Sequence, residues 1–320
     1  MVDGVPRPQV VAPPSYQALP LQHIKVSHVP ESSPIATPVI LITLNRPDKY
    51  NAFTLQMQRE ICQVYELIEV DPRVKCVVMT GAGSKAFCAG ADLDIGFQLE
   101  SEPSHSRDVD HRDGHSGGRV SLAIHQSSKP TIGAINGSAV GIGITMCLPM
   151  AIRIAYEKAK VGFVFSRRGL VMEACSSYFL PRLVGLSRAQ HLTLTGAVYP
   201  ANHPLFGTLF SETCATPEAT LKRALELADD VARNTSLVST KLIRDLMHRA
   251  PDSAEATHLI DSQMISALIG SKDNVEGINS FLEKRPARFE GRMPDDAPPT
   301  YPWWQTPDIS YPRGKRVTKL

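Results

Sequence analysis

An α/β fold built on a mainly parallel sheet is predicted by three observations. Short continuous apolar runs of strand length alternate with segments of helical apolar spacing between residues 39 and 156, as successive βα crossovers require. Two glycine-rich turns, at 87–93 and 136–143, follow strand candidates. Prolines crowd the ends: of 25, eight precede Val39 and seven lie from Pro286 onward. Proline fixes φ and removes a donor, so residues 1–20 read as a disordered Pro-rich arm and 291–320 as a Pro-rich, basic tail. Residues 21–290 remain as the folded domain.

Leu21 to Val29 is the partner strand of Val39 to Leu44, an unbroken apolar run that leaves into the turn Asn45-Arg46-Pro47. From Leu55 to Ile68 apolar residues recur at helical spacing, with Thr54 as N-cap and Asp71-Pro72 as the stop. Val74 to Thr80 is a second buried strand, closed by Gly81-Ala82-Gly83. The order then repeats with a helix near Arg119 to Gln126, a strand from Thr131 to Ile135, a glycine turn, a short helix and a strand near Ile152 to Tyr156. After Glu173 the spacing predicts helices at 175–184, 187–194, 217–233, 236–249, 255–269 and 275–284. That helical half is a second domain or an appendage to one core.

In 320 residues, 34 Lys+Arg against 32 Asp+Glu leave a formal charge of +2, too little for a nucleic-acid binder without local clustering. With 42% hydrophobic and 21% charged residues the chain is globular. No apolar run after a basic stretch marks a secretory signal at the start, so an intracellular protein is expected. Cys62, Cys76, Cys88, Cys147, Cys175 and Cys214 are widely spaced, lack a zinc pattern and read as reduced packing residues. No charged residue occurs between Lys129 and Arg153, but four glycines, Asn136 and Pro149 break that run into strand, turn and helix, so no membrane span is expected. Residues 95–118, with His105, His111 and His115, read as a solvated loop, and no metal site is assigned.

The chemistry is expected at the two glycine turns. Small residues between a strand and a helix leave backbone N–H groups open to an incoming oxygen, and neither turn has the Gly-x-Gly-x-x-Gly spacing of a dinucleotide site. Taken as a pair, two N–H donors converging on one oxygen form an oxyanion hole. The strings Leu44-Asn45-Arg46-Pro47 with Asn51-Ala52, Ala86 to Asp92, Ala134-Ile135-Asn136-Gly137 through Gly143, and Gly277 through Phe281 to Pro286 resemble, in the same order, motifs of the crotonase, or enoyl-CoA hydratase/isomerase, superfamily. The resemblance implies a crotonase-like ββα spiral with a C-terminal helical trimerisation region, assembled as a homotrimer or hexamer. It also implies an acyl-CoA thioester as substrate, no separate cofactor, and an oxyanion hole made by the N–H groups of Ala91 and Ile142. Ala89, Asp92 and Leu93 would lie along the CoA, with a helix N-cap as the other reading of Asp92.

Hydratases of that family use two glutamates. The matching positions here hold Thr145 and Phe165, which move no proton at neutral pH. Glu173, in the string Gly169 to Pro181, instead resembles the single catalytic glutamate of peroxisomal-type Δ3,Δ2-enoyl-CoA isomerases. Its plainer reading is an acid favoured by a following helix N-terminus. Shifting a double bond takes one base, so isomerisation through Glu173 is expected, with hydration as the alternative and non-catalytic acyl-CoA binding as the second alternative. Thr318-Lys319-Leu320 resembles the peroxisomal Ser-Lys-Leu signal, so an import receptor as partner and a peroxisomal location are expected, with the cytoplasm as the alternative.

Overall fold

The computed structural model of the protein describes residues 10–95 and 116–305. His105, His111, His115 and the tripeptide Thr318-Lys319-Leu320 lie outside the described residues. In chain order the described residues form β1 (Ile24–His28), β2 (Val39–Leu44), α1 (Leu55–Val70), β3 (Cys76–Gly81), β4 (Ala86–Cys88), α2 (Ser116–Gln126), β5 (Thr131–Ile135) and β6 (Ser138–Val140). They continue with α3 (Ile142–Thr145), β7 (Ile152–Tyr156), β8 (Lys160–Gly162), α4 (Ser176–Val184), α5 (Leu186–Thr195), β9 (Val198–Pro200) and β10 (Glu212–Cys214). The helices α6 (Pro217–Asn234), α7 (Leu237–Arg249), α8 (Ala254–Leu268) and α9 (Lys272–Leu282) close the chain.

A larger sheet runs β1-β2-β3-β5-β7-β10 and a smaller one β4-β6-β8-β9. The edge strand β1 pairs antiparallel with β2, and the rest of the larger sheet is parallel. Three successive turns, β3-β4-α2, β5-β6-α3 and β7-β8-α4, each place one strand in the larger sheet and the next in the smaller before a helix follows. This is the expected ββα spiral. The strands of the smaller sheet escape sequence reading because each is three residues long, too short to show a period.

The central strand β3 is buried along its whole length, which is why its sequence is continuously apolar instead of alternating. Val77 and Met79 join Met57, Ile61, Val64 and Ile68 of α1 and Phe87, Cys88, Ala139 and Val161 of the smaller sheet in one core. Cys76 and Val78 form a second core with Ala224, Ala228 and Ala232 of α6, one alanine per turn, so that this helix lies close on the sheet. Thr54 caps α1 as expected, accepting a hydrogen bond from Met57 N at 3.1 Å. The charge-free run is divided among β5, β6 and α3, and no helix among the described residues is long and apolar enough to cross a membrane.

The proline-rich ends pack on the body where they are described, unlike the disordered arm and tail expected from their composition. Tyr16 is fully buried and its hydroxyl donates to Asp71 at 3.1 Å. At the other end the Tyr301 hydroxyl donates to Asp245 at 2.8 Å, and Trp303 Nε1 donates to the Arg249 carbonyl at 3.3 Å. An aromatic side chain that gains both an apolar bed and a polar partner offsets the entropy of ordering the chain around it.

Candidate active site

Two asparagines fix the first glycine turn. Asn51, in the left-handed region at φ 55, accepts from Arg46 N at 2.9 Å and donates to the carbonyls of Ala82 and Ala86 at 3.0 and 2.8 Å. Buried Asn136 donates to the carbonyls of Gly81 and Gly83, both at 2.8 Å, and accepts from Gly81 N at 3.2 Å. These bonds tie the chain between β3 and β4 to its neighbours on either side. Beyond β4, Phe53 N donates to the Gly90 carbonyl at 2.8 Å and Asp92 N to the Phe53 carbonyl at 3.0 Å. Phe53 therefore bonds to the residues flanking its bridge partner Ala91, and the Ala91 N–H points away from it.

The second turn is brought alongside by parallel pairing of β4 with β6, Ala86 with Ser138 and Cys88 with Ala139. The approach is so close that a Cβ on Gly143 would collide with the Cys88 carbonyl. Gly141, at φ 56, turns the chain into α3, whose first residue is Ile142. An N–H in the first turn of a helix has no acceptor within that helix. Among the described residues neither Ala91 N–H nor Ile142 N–H has a hydrogen-bond acceptor. Ile142 turns its side chain into the protein and is 6% exposed.

Glu173 joins these donors through Thr145. The fully buried Thr145 hydroxyl, on α3, donates to Glu173 Oε1 at 2.5 Å. The backbone around the glutamate is unusual: Ala174 and Cys175 both occupy the left-handed region, at φ 55 and 57, and Ser176 donates to the Glu173 carbonyl from both its N–H and its hydroxyl. Left-handed non-glycine residues cost of order 1 kcal/mol each and concentrate at functional sites. The carboxylate is engaged by Thr145, and no acidic residue lies in the first turn of α4, so the helix-terminus reading of Glu173 does not describe this arrangement. Phe165, at the other glutamate position, is half-buried against the main core.

Ala89 and Leu93 flank Ala91 on an exposed surface. Asp92 is buried, and its carboxylate pairs with Arg46 at 2.8 Å and accepts from Asp94 N at 3.2 Å. Burial penalises its charge, but the Arg46 hydrogen bond and charge prevail and hold the carboxyl below its usual range. Burial also pushes the Cys88 thiol up to about 12, and burial together with the Glu173 charge raises that of Cys175. Neither cysteine offers a thiolate at neutral pH. Sequence reading found Thr145 only as a missing glutamate and passed over Gly117, whose α-carbon faces Glu173 Oε2. A glycine pair, Gly117-Gly118, opening a helix was the available signal.

The enoyl-CoA hydratase/isomerase family matches this chain over residues 35–292. Two enoyl-CoA hydratases of Alternaria alternata are each 49% identical to it over 260 residues, 81% of this chain and 86% of each of theirs. The crystal structure of an enoyl-CoA hydratase from Bacillus anthracis superposes with a TM-score of 0.72 at 27% identity, covering 85% of this chain and 100% of that one. These relatives are named hydratases, and nothing in the matches favours isomerisation or a peroxisomal isomerase subtype. With the ββα spiral and the paired glycine turns, the matches establish that the chain belongs to the enoyl-CoA hydratase/isomerase family, as an acyl-CoA enzyme of the α/β crotonase-like fold.

Proposed function

We propose that the protein adds water reversibly across the C2–C3 double bond of a 2-enoyl-CoA, with Glu173 as its single acid–base group. The observation that carries this reading is the Thr145–Glu173 hydrogen bond, which holds one carboxylate on the short helix that begins at the Ile142 donor. Hydration moves ahead of isomerisation because the relatives at 49% identity are named hydratases. Glu173 takes a proton from water as the water oxygen bonds to C3, and the π electrons move onto the thioester oxygen. The N–H groups of Ala91 and Ile142 stabilise that enolate. Collapse of the enolate draws the proton from Glu173 to C2, so that one water is added in all. Exposed Ala89 and Leu93 line the CoA path, and Asp92 contributes its backbone there while Arg46 holds its carboxylate. The proton chemistry takes no cofactor beyond the thioester substrate.

Isomerisation is the second reading, favoured by Thr145 and Phe165 in place of a second carboxylate. Incubation with a 2-enoyl-CoA and, separately, a 3-enoyl-CoA separates the two. A gain of one water from the first supports hydration. Conversion of the second to a 2-enoyl-CoA of unchanged mass, with the first left intact, overturns it in favour of isomerisation, and consumption of neither points to the binding role. We also propose a trimer or hexamer, with the exposed apolar residues of α8 and α9 as its assembly surface.

A further inference from the structure

Among the described residues, two groups meet the Glu173 carboxylate and a third holds its backbone. Thr145 donates to Oε1 from a position with no solvent exposure. On the other side a Cβ at Gly117 would collide with Oε2 and lie 2.7 Å from Ile142 Cδ1, so no side chain fits there while the carboxylate is in place. Behind it the carbonyl of Glu173 is pinned by Ser176. We propose that Thr145 and Gly117 are positioning residues that seat the Glu173 carboxylate between them, the threonine hydroxyl holding Oε1 and the bare Gly117 leaving room for Oε2.

An ionised carboxylate only accepts hydrogen bonds, so the Thr145 hydroxyl is the donor and favours the charged, basic form. Anchoring one oxygen also fixes the plane of the carboxylate, and with it the direction in which the group meets water or C2. Misplacement of a reacting group by about 1 Å costs roughly 100-fold in rate. Gly117 gives up helix propensity of about 1 kcal/mol relative to alanine in α2. The space that its missing side chain leaves is occupied by Glu173 Oε2.

The inference rests on Glu173 being the acid–base group, so the test carries Glu173→Gln beside Thr145→Val, Thr145→Ser and Gly117→Ala. Steady-state turnover of a 2-enoyl-CoA and a 3-enoyl-CoA is measured across pH, with thermal unfolding as a folding control. Thr145→Val is expected to lower kcat roughly 10- to 100-fold with KM within about twofold. It should also move the acid limb of the kcat profile to higher pH, because the ionised carboxylate loses a donor. Thr145→Ser should restore both, and Gly117→Ala should lower kcat at least about tenfold by displacing the carboxylate. Wild-type kcat and an unmoved acid limb in Thr145→Val, with Glu173→Gln inactive, overturn the positioning role and leave the base in place. Full turnover in Glu173→Gln overturns the base assignment itself and with it the seat. If the valine variant does not fold, Thr145→Ala carries the same comparison.

Discussion

Around Gly143 the Cys88 carbonyl fills the space that a side chain would need, whereas on α9 Phe281 is 82% and Leu282 71% exposed. At Gly143 the paired turns leave no room for a methyl, and this close approach is what would bring the proposed donors, Ala91 and Ile142, to one oxygen. In α8 only Met264 is buried, while Leu259, Ile265 and Ile269 stay exposed. This uncovered apolar surface is the face that the proposed assembly would bury. Within one chain, then, close packing coincides with the candidate site and loose packing with the face proposed for assembly.

Glu173→Gln sharpens that contrast most. Turnover is expected to fall by about 10² to 10⁴, the range for loss of a general acid–base, with the unfolding midpoint and oligomeric mass unchanged. Gly143→Ala attacks the packing instead. The new methyl must displace the Cys88 backbone, at a cost of about 1–3 kcal/mol in urea unfolding, and turnover should fall with it because the Ile142 donor moves. A midpoint equal to that of the native chain would show the turns to have slack.

A third test addresses the packing of α2 on α4 and α7, where His125 meets Phe179 and His248 at ring distances of 5.3 and 5.1 Å. Burial, followed by the charges of His248, Arg249 and Lys241 against the opposing Asp245, lowers its pKa from 6.5 to about 4. Between those values the unfolded chain binds a proton that the folded chain does not, so stability falls as pH falls through that window. The loss attributable to His125 between pH 7 and 5 is about 2 kcal/mol. His125→Gln should flatten the pH dependence of unfolding over this range, and an unchanged slope would place the effect elsewhere.

The smallest effect on the fold is expected at the exposed helices. Phe281→Asp should change monomer stability by less than about 0.5 kcal/mol yet lower the mass measured by light scattering after gel filtration. An unchanged mass would remove this face from assembly.

Much of the scaffold is legible in the residues, because periodicity and capping are local properties. The apolar run at β2, the spacing and Thr54 cap of α1, and the two glycine turns all follow from neighbouring residues in the chain, whereas the donor positions in those turns came from the family resemblance. Less follows for the site. Thr145 and Glu173 are 28 residues apart, and no local period says that they share a hydrogen bond. Asp92 is equally opaque, since a carboxylate after a glycine turn suits a ligand or a cap as well as it suits the half-buried Arg46 that holds it.

By itself the sequence determined the alternation of strands and helices, the two glycine turns and the motifs that resemble the family, while the ββα order and the donor positions were what that resemblance implied. Only the tertiary structure decided which side chains meet the Glu173 carboxylate. It set Thr145 on one oxygen, left Gly117 without a side chain before the other, and gave the arm residue Tyr16 a buried partner in Asp71. The reason is physical: hydrogen bonds and excluded volume act through space over a few ångströms, and the fold alone sets which distant residues come that close.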